Sequence, residues 1–164
     1  MKTLVISGGS SRIGKATASL FAERGWRVFE LSRHGGEEAK VERFEAKDAG
    51  EIIHVFCDVC SEESCHAAIE EVWRQTDHVD VVISNAGYGI SGPIEFTDIK
   101  DAEHQMDVNF MGAVRFTQAV LPQLRQQRRG RIIYTSSVAA ILAVPYQSFY
   151  SASKAAINAF ALAL

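Results

Sequence analysis

The chain has 164 residues, 47% of them hydrophobic and 23% charged, and its formal net charge is −3. This composition is typical of a globular domain with a sizeable core, and the negative charge argues against a general nucleic-acid binder. No apolar run approaches the ~18 residues of a membrane span, and the apolar run before Gly8 is too short for a secretory signal. We therefore expect a cytoplasmic protein that binds neither nucleic acid nor a membrane.

Short β-branched runs alternate with longer helical stretches along the chain. In chain order, the pattern predicts strand Thr3–Ser7, helix Ile13–Arg24, strand Arg27–Leu31, helix Glu37–Ala49, strand Ile52–Phe56, helix Glu62–Gln75, strand Val79–Ser84, helix Asp101–Gln126, strand Arg131–Thr135 and a helix from Ser148 onward. Gly25 is expected to stop the first helix, and Ser61, with Ser64 as the alternative, to cap the third. Pro122 is expected to kink or end the long helix.

This alternation predicts a single α/β domain, residues 1–164, with a doubly wound parallel sheet that is covered on both faces. In such sheets, ligands bind at the carboxyl ends of the strands. Gly8, Asp58, Asn85 and Ser137 each follow one of the predicted strands. We therefore expect these four residues to converge on one crevice.

Three clustered cysteines, Cys57, Cys60 and Cys65, raise the question of a metal site. His54 and His66 lie nearby in the sequence. A closed zinc site needs four ligands in two well-spaced pairs, which this segment does not offer. The sequence therefore predicts reduced structural thiols and no metal.

The turn from Ser7 to Gly14 follows the first strand and opens a helix. Glycines at such a turn let backbone N–H groups approach a pyrophosphate at the helix N-terminus. Gly8, Gly9 and Gly14 do not fit the G-x-G-x-x-G spacing. A phosphate cradle and a simple tight turn therefore both remain open.

Tyr150 and Lys154 stand four residues apart in a predicted helix, so both side chains lie on one face. A nearby cation favours the phenolate and makes the phenol a candidate general acid or base. Ser137 follows a strand and could donate a hydrogen bond to a developing oxyanion. Alone, such a pair is more often a core tyrosine beside a surface lysine.

Taken together, these motifs resemble the short-chain dehydrogenase/reductase family over essentially the whole chain. The family pattern is T-G-x-x-x-G-I-G, then D-V, N-N-A-G, an Asn in the long helix, and a Ser with Y-x-x-x-K. The matching residues here are the turn Ser7 to Gly14, Asp58-Val59, Asn85-Ala86-Gly87, Asn109, Ser137, Tyr150 and Lys154. The resemblance implies a nicotinamide-dependent oxidoreductase on a Rossmann-like sheet with strand order 3-2-1-4-5.

By resemblance, Tyr150 is the catalytic acid/base, Lys154 tunes it and binds the nicotinamide ribose, Ser137 holds the substrate oxygen, and Asn109 anchors a water in the proton relay. The implied cofactor-binding residues are Gly8, Ser10, Ser11, Arg12, Ile13, Gly14, Ser32, Arg33, Asp58, Val59, Asn85, Ala86, Gly87, Tyr150 and Lys154. Asp58 would meet the adenine amino group, with Val59 beside the ring. As alternatives, Asn85 only caps its strand and Asn109 only kinks its helix.

The chain departs from the family pattern at several positions. Ser7 replaces Thr, Ser84 replaces the first Asn, and Arg12 replaces the middle glycine, where it would either crowd the cofactor or contact a phosphate. The family usually continues for two more strands and a substrate loop. We therefore expect a last helix that is cut short, a sheet that lacks those strands and an open edge at the fifth strand. In the family, the helix with Asn109 and the last helix often pack against a partner, which implies a homo-oligomer.

Cofactor choice follows from the end of the second strand. NAD-dependent enzymes place an acid there to hold the ribose 2′-OH, whereas Ser32 takes that position here and Arg33 follows. An arginine pairs with a 2′-phosphate. Glu30 is expected on the same face as Ser32 and argues the other way. On balance the sequence predicts NADP(H) over NAD(H).

The expected activity is hydride transfer between NADP(H) and a small carbonyl or secondary-alcohol substrate. The stretches 88–93 and 138–149 would flank that substrate, and they are mostly apolar. A non-catalytic dinucleotide-binding or regulatory module is the alternative, favoured by Arg12 and the cut last helix. A sugar epimerase is a weaker third possibility, because its glycine spacing differs.

Overall fold

The computed structural model describes residues 1–35, 40–43 and 50–164. A mixed β-sheet forms the centre of the fold. Its strands are β1 (Thr3–Ser7), β2 (Arg27–Ser32), β3 (Lys40–Arg43), β4 (Glu51–Phe56), β5 (Val81–Ser84) and β6 (Arg131–Tyr134). They are arranged in the order β3-β4-β2-β1-β5-β6. Every neighbouring pair is parallel except β3 with β4. The five parallel strands confirm the predicted Rossmann-like order 3-2-1-4-5.

Strand β3 is a difference from the sequence prediction. The segment Glu37–Ala49 was expected to be a charged helix, but Lys40–Arg43 pairs antiparallel with β4, Lys40 opposite His54 and Arg43 opposite Glu51. Pairing with an exposed strand edge outweighs the modest helix propensity of these few residues. The helix is therefore wrong at 40–43, and the rest of that prediction lies outside the described residues.

Helices cover both faces of the sheet. They are α1 (Arg12–Glu23), α2 (Glu62–Gln75), α3 (Ile99–Met106), α4 (Gly112–Gln127) and α5 (Ser148–Ala163). One apolar cluster packs α2 and α4 on one face, with Phe29 and Phe116 fully buried in it. A second cluster packs α1 on the other face through Ala18 and Ala22. All residues of β1 are therefore buried, as expected of a central parallel strand.

The long predicted helix is continuous but not regular. A π-helical turn, Asp107–Met111, joins α3 to α4. Pro122 lies inside α4 and does not end it, since the helix continues to Gln127 and stops at Arg128 in the left-handed conformation (φ 57°). Within the described residues, we find no helix both long and apolar enough to cross a membrane.

Two predicted helix boundaries are confirmed. Gly25 follows α1 with φ 81°, a conformation that glycine adopts readily, and its N–H donates to Ala22 O at 2.9 Å. Ser61 caps α2, because its Oγ accepts from the Ser64 N–H at 3.1 Å. The Ser64 hydroxyl is thereby free to accept from the Asp58 N–H at 2.9 Å, which fixes the loop after β4.

Candidate active site

A cleft of about 790 Å³ lies where the parallel strands end. It brings together every predicted catalytic and cofactor-binding residue except Asn109. The predicted residues that line it are Gly8, Ser10, Ser11, Arg12, Ile13, Gly14, Ser32, Arg33, Asp58, Val59, Asn85, Ala86, Gly87, Ser137, Tyr150 and Lys154. Its volume falls in the range of small-molecule and cofactor sites.

The glycine-rich turn is packed against the loop after β5. Gly8 has φ +66°, and a Cβ there would lie 2.8 Å from Ala86 Cα. A Cβ on Gly14 would lie 2.2 Å from Gly8 O, so both positions require glycine. Asn85 Nδ2 donates to Gly8 O at 3.0 Å. Asn85 therefore joins two loops, and its side chain does more than end a strand.

Ser7 strengthens the same junction. Its Oγ accepts from the N–H groups of Asn85 (3.1 Å) and Ala86 (3.3 Å). The serine hydroxyl thus ties the end of β1 to the residues after β5. These bonds explain why a hydroxyl residue, either Ser or Thr, suits this position.

Arg12 carries a strained backbone at the start of α1. Its φ is 47°, in the left-handed region that glycine occupies without cost. A non-glycine residue there costs on the order of 1–2 kcal/mol. The backbone at this position therefore has the conformation that favours the glycine of the family pattern, although the residue here is arginine. Its side chain is exposed on the wall of the cleft.

The end of β2 has its own hydrogen-bond network. Ser32 Oγ donates to Glu30 Oε2 at 3.3 Å, and the His34 N–H donates to Ser32 Oγ at 3.3 Å. Glu30 is only 1% exposed, and its Oε2 also contacts His54 Nδ1 at 2.9 Å. Glu30 thus shares a face with Ser32, as predicted, but its carboxylate is buried beneath the glycine-rich turn, where a Cβ on Gly9 would lie 2.6 Å from Glu30 Cγ. Arg33 is exposed and lines the cleft.

Asp58 and Val59 form a wall between α2 and α4. The Cys60 N–H donates to Asp58 Oδ1 at 3.0 Å, in addition to the bond from the Asp58 N–H to Ser64. Val59 is buried, and a Cβ on Gly112 would lie 2.8 Å from its Cγ2. This loop is therefore held rigidly at the edge of the cleft.

Asn109 lies in the π-helical turn and is 1% exposed, behind the wall of the cleft. Its Oδ1 accepts from the Tyr88 N–H at 2.9 Å, and its Nδ2 donates to Tyr88 O at 2.8 Å and to Ser153 Oγ at 3.0 Å. The side chain therefore joins the loop after β5 to α5. A break in helical geometry also occurs here, so the kink alternative describes part of its role.

Lys154 and Tyr150 occupy the inner wall. Lys154 is 5% exposed, and its Nζ donates to Thr135 O at 2.7 Å and lies 5.8 Å from the centroid of the Tyr150 ring. Burial lowers the pKa of Lys154 below that of a free lysine. Ser137 Oγ accepts from the Ala139 N–H at 3.1 Å, which leaves its own proton for another acceptor. The buried ammonium therefore faces a tyrosine in a cleft that also contains a hydroxyl donor.

Sequence reasoning missed Thr135, whose carbonyl anchors Lys154. The Thr135 Oγ1 also donates to Asn85 Oδ1 at 3.2 Å. Its position at the end of a strand, two residues before Ser137, was the available signal. Thr135 thereby connects the lysine to the loop that holds the glycine-rich turn.

The three cysteines differ in their surroundings. All three are free thiols, with Cys57 and Cys65 buried together. Their mutual hydrogen bond raises the pKa of Cys57 and lowers that of Cys65. Burial and a hydrogen bond to Asp107 raise the pKa of Cys60 to about 12. Cys60 thus has a different set of neighbours from the other two thiols.

A family model described as short chain dehydrogenase matches residues 2–164. The chain belongs to the short-chain dehydrogenase family. Among curated relatives, it is 37% identical over 161 residues to 3-ketodihydrosphingosine reductase of Bacteroides thetaiotaomicron, covering 98% of this chain and 56% of that protein. It is 35% identical to retinol dehydrogenase 8 of Bos taurus, covering 97% and 52%. The chain thus spans about half the length of these relatives.

Solved structures show the same fold. NAD⁺-bound xylitol dehydrogenase matches with a TM-score of 0.86 and 30% identity, covering 97% of this chain and 62% of that one. An alcohol dehydrogenase from the archaeon Thermococcus sibiricus, complexed with 5-hydroxy-NADP, matches with a TM-score of 0.84 and 26% identity, covering 98% and 68%. Members of the family with this fold therefore bind either type of nicotinamide cofactor.

Proposed function

We propose that this member of the family is an NADP(H)-dependent oxidoreductase that interconverts a carbonyl compound and a secondary alcohol. One observation carries the proposal. The Tyr150 ring and the buried Lys154 ammonium share one cleft with the glycine-rich turn. A dinucleotide bound at the turn would extend toward the tyrosine, so cofactor and acid/base would meet in one place.

The proposed proton chemistry uses three side chains. A bound nicotinamide would supply or accept the hydride. In reduction, Tyr150 donates its phenolic proton to the carbonyl oxygen; in oxidation, it accepts the proton from the alcohol. Ser137 donates a hydrogen bond to the same oxygen. Lys154, held by Thr135 O, favours the ionised phenol and binds the ribose of the nicotinamide.

Asn109 has a supporting role in this proposal. Its side-chain amide is already bound to Tyr88 and Ser153, so its main-chain carbonyl is the group left to hold a water. That carbonyl stands in the π-helical turn, where the regular i→i−4 bonding is interrupted, and such interruptions are frequent at functional sites. We assign it the anchoring of the water that resupplies protons through Lys154.

The substrate class rests on the apolar surroundings of Ser137. Val138, Ile141 and Leu142 are exposed beside the cleft, at 72%, 81% and 69%. The curated relatives are named for a keto compound and for retinol. A carbonyl compound or alcohol of modest polarity fits both observations, and the proposed ketone or secondary alcohol belongs to that class. NADPH oxidation across a panel of ketones tests this, and cofactor binding with no turnover on any of them would favour the non-catalytic module instead.

Arg33→Ala is expected to weaken NADPH binding by ~1.5–3 kcal/mol, about 10- to 150-fold, with little change for NADH. The reason is that Arg33 can pair with a 2′-phosphate, whereas the Glu30 carboxylate is buried and bound to Ser32 and His54. Fluorescence titration of both cofactors measures the effect. Arg24→Ala, an exposed arginine on the far end of α1, is the control. Equal losses for the two cofactors, or tighter NADH binding by the unaltered chain, would contradict the NADP(H) preference.

We also propose a homo-oligomer that forms through α3, the π-helical turn, α4 and α5. An apolar groove of about 340 Å³ lies there, lined by Ile99, Ala102, Glu103, Met106, Asp107, Met111 and Phe149. Leu162 on α5 is 90% exposed. Static light scattering should show a dimer or larger species, and Met111→Glu should weaken its association at least about tenfold. Leu20→Glu, at a half-exposed leucine on α1, should leave the association unchanged. A monomer before substitution would overturn the proposal.

The cytoplasmic location stays a prediction.

A further inference from the structure

Three metal-ligating side chains from separate segments meet beside the cleft. Cys60 comes from the loop after β4, His104 from α3 and Asp107 from the π-helical turn. One ligand atom of each lies within 4.8 Å of the others. His104 and Asp107 are three residues apart on a helical face, so their side chains point the same way. This convergence is independent of the residues assigned to hydride transfer.

The three groups differ in how far their coordinating atoms are already engaged. Within the described residues, the His104 ring has no hydrogen-bond partner; its closest ring neighbour is Tyr88, with centroids 6.0 Å apart. The His104 side chain is exposed on the wall of the cleft. Asp107 Oδ1 accepts from Arg115 Nη2 at 2.7 Å, and the carboxylate also accepts from the Cys60 thiol. The imidazole can therefore reach an ion without breaking an existing bond, whereas the Cys60–Asp107 hydrogen bond would be exchanged for bonds to the metal.

We propose that Cys60, His104 and Asp107 form a binding site for Zn²⁺ or a similar borderline-soft divalent transition metal. A sulfur, an imidazole nitrogen and a carboxylate oxygen are ligands of that class, whereas Mg²⁺ and Ca²⁺ prefer oxygen alone. Bond lengths of about 2.0–2.3 Å place tetrahedral ligands roughly 3.5 Å apart. The three ligand atoms now lie within 4.8 Å of one another, so side-chain rotations that move each atom by about 1 Å would bring them to that spacing.

Binding would exchange a proton for the metal without redox chemistry. The Cys60 S–H bond breaks, the proton goes to solvent, and a sulfur–metal bond forms. Thiolate and carboxylate together carry two negative charges, of which Arg115 neutralises part. With three protein ligands, the fourth coordination position stays open to water.

The competing interpretation is a closed structural network. In it, the Cys60 thiol donates to Asp107, which pairs with Arg115, while Arg115 Nη1 also donates to Val59 O at 3.2 Å. That network gives His104 no role, whereas the metal site requires it. His104 therefore distinguishes the two interpretations.

The sequence predicted no metal at these cysteines. The two histidines near them in the sequence are engaged elsewhere, since His54 is bound by Glu30 and His66 lies beside Glu62 on the surface of α2. His104 and Asp107 lie on helices far along the chain, so no local spacing relates them to Cys60. Their proximity is a result of the fold.

Co²⁺ is the probe for the test, because a thiolate ligand gives a cobalt charge-transfer band. The whole chain, without nicotinamide cofactor, should bind one equivalent of Co²⁺ with that band, and Zn²⁺ should displace it. Cys60→Ser should abolish the band, and His104→Ala should weaken metal binding more than about tenfold. His66→Ala, an exposed histidine beside a glutamate, is the matched control and should bind like the unaltered chain.

Several outcomes would overturn the site. They are the absence of stoichiometric binding, a band that survives Cys60→Ser, or unchanged affinity in His104→Ala. Thermal unfolding without metal shows whether each variant is folded. Should Cys60→Ser fail to fold, His104→Ala decides alone, since its side chain is exposed. The readout needs neither cofactor nor turnover, so it is independent of the proposed reaction.

Discussion

Tyr150→Phe is expected to lower kcat by about 10²- to 10⁴-fold while leaving NADPH binding nearly unchanged. The phenolic proton is needed only in the transition state, so its removal should appear in kcat more than in cofactor affinity. The ring itself is retained, and with it the packing beside Gly89 and the contact with Lys154. Steady-state kinetics with a responsive ketone, together with cofactor titration, measure both quantities.

Tyr134→Phe is the matched control for this experiment. The Tyr134 hydroxyl lies 2.8 Å from the buried Thr117 Oγ1, and Tyr134 is not among the residues that line the cleft. Its loss should lower the free energy of unfolding by about 0.5–1.5 kcal/mol and leave kcat unchanged. Substantial turnover by the Tyr150→Phe variant would refute the assignment of the acid/base, and an equal loss in the control would show that the effect is structural.

The parallel core of the fold followed from the sequence because its signal is repeated. Each parallel strand is a short β-branched run, and a helix follows β1, β4, β5 and β6, so one interpretation fits most of the chain. Because parallel strands end at one edge of the sheet, the residues after them had to meet. Gly8, Asp58, Asn85 and Ser137 accordingly line the same cleft.

Strand β3 could not be predicted in the same way. Lys40–Arg43 is polar and rich in residues that suit helices, and its strand conformation comes from pairing with β4. That pairing is a tertiary contact, which no local pattern records. The π-helical turn at Asn109 is similar, since its neighbours carry an ordinary helical periodicity.

The conformation of the glycine-rich turn illustrates a second limit. The resemblance marked Arg12 as a departure, but only the backbone shows φ 47° and hence the cost of a side chain there. The environment of Glu30 is comparable: alternation placed it beside Ser32, while its contact with His54 required the register of β2 against β4. Only the packing of the strands shows that the Glu30 carboxylate is buried beneath the cleft and does not line it.

Lys154→Met is expected to damage both turnover and cofactor binding. Without the ammonium, the phenolate is less favoured, so kcat should fall at least about 100-fold. The ribose loses a charge-assisted hydrogen bond, which should weaken NADPH by about 1.5–3 kcal/mol. Kinetics and titration separate this variant from Tyr150→Phe, which should lose turnover alone. Lys100→Met, at an exposed lysine on α3, is the control.

The same substitution should also change how stability depends on pH. Burial lowers the pKa of Lys154 in the folded chain, whereas the unfolded chain keeps the ordinary value near ~10.4. Between these two pKa values the unfolded state binds more protons, so the free energy of unfolding rises with pH across that window. Below the lowered pKa, the cost of burying the ammonium is present in full. Lys154→Met lacks this titration and should lack the rise.

Urea unfolding of both proteins from neutral pH to about 10.5 measures that difference. The unaltered chain should gain stability relative to Lys154→Met as pH increases, and Lys100→Met should follow the unaltered chain. If the two free energies of unfolding differ by a constant amount across the range, the bond from Lys154 to Thr135 O offsets the cost of burying the charge. A gain in the expected direction would mean that the fold keeps a destabilising ammonium at this position, which is the expected signature of a residue retained for chemistry.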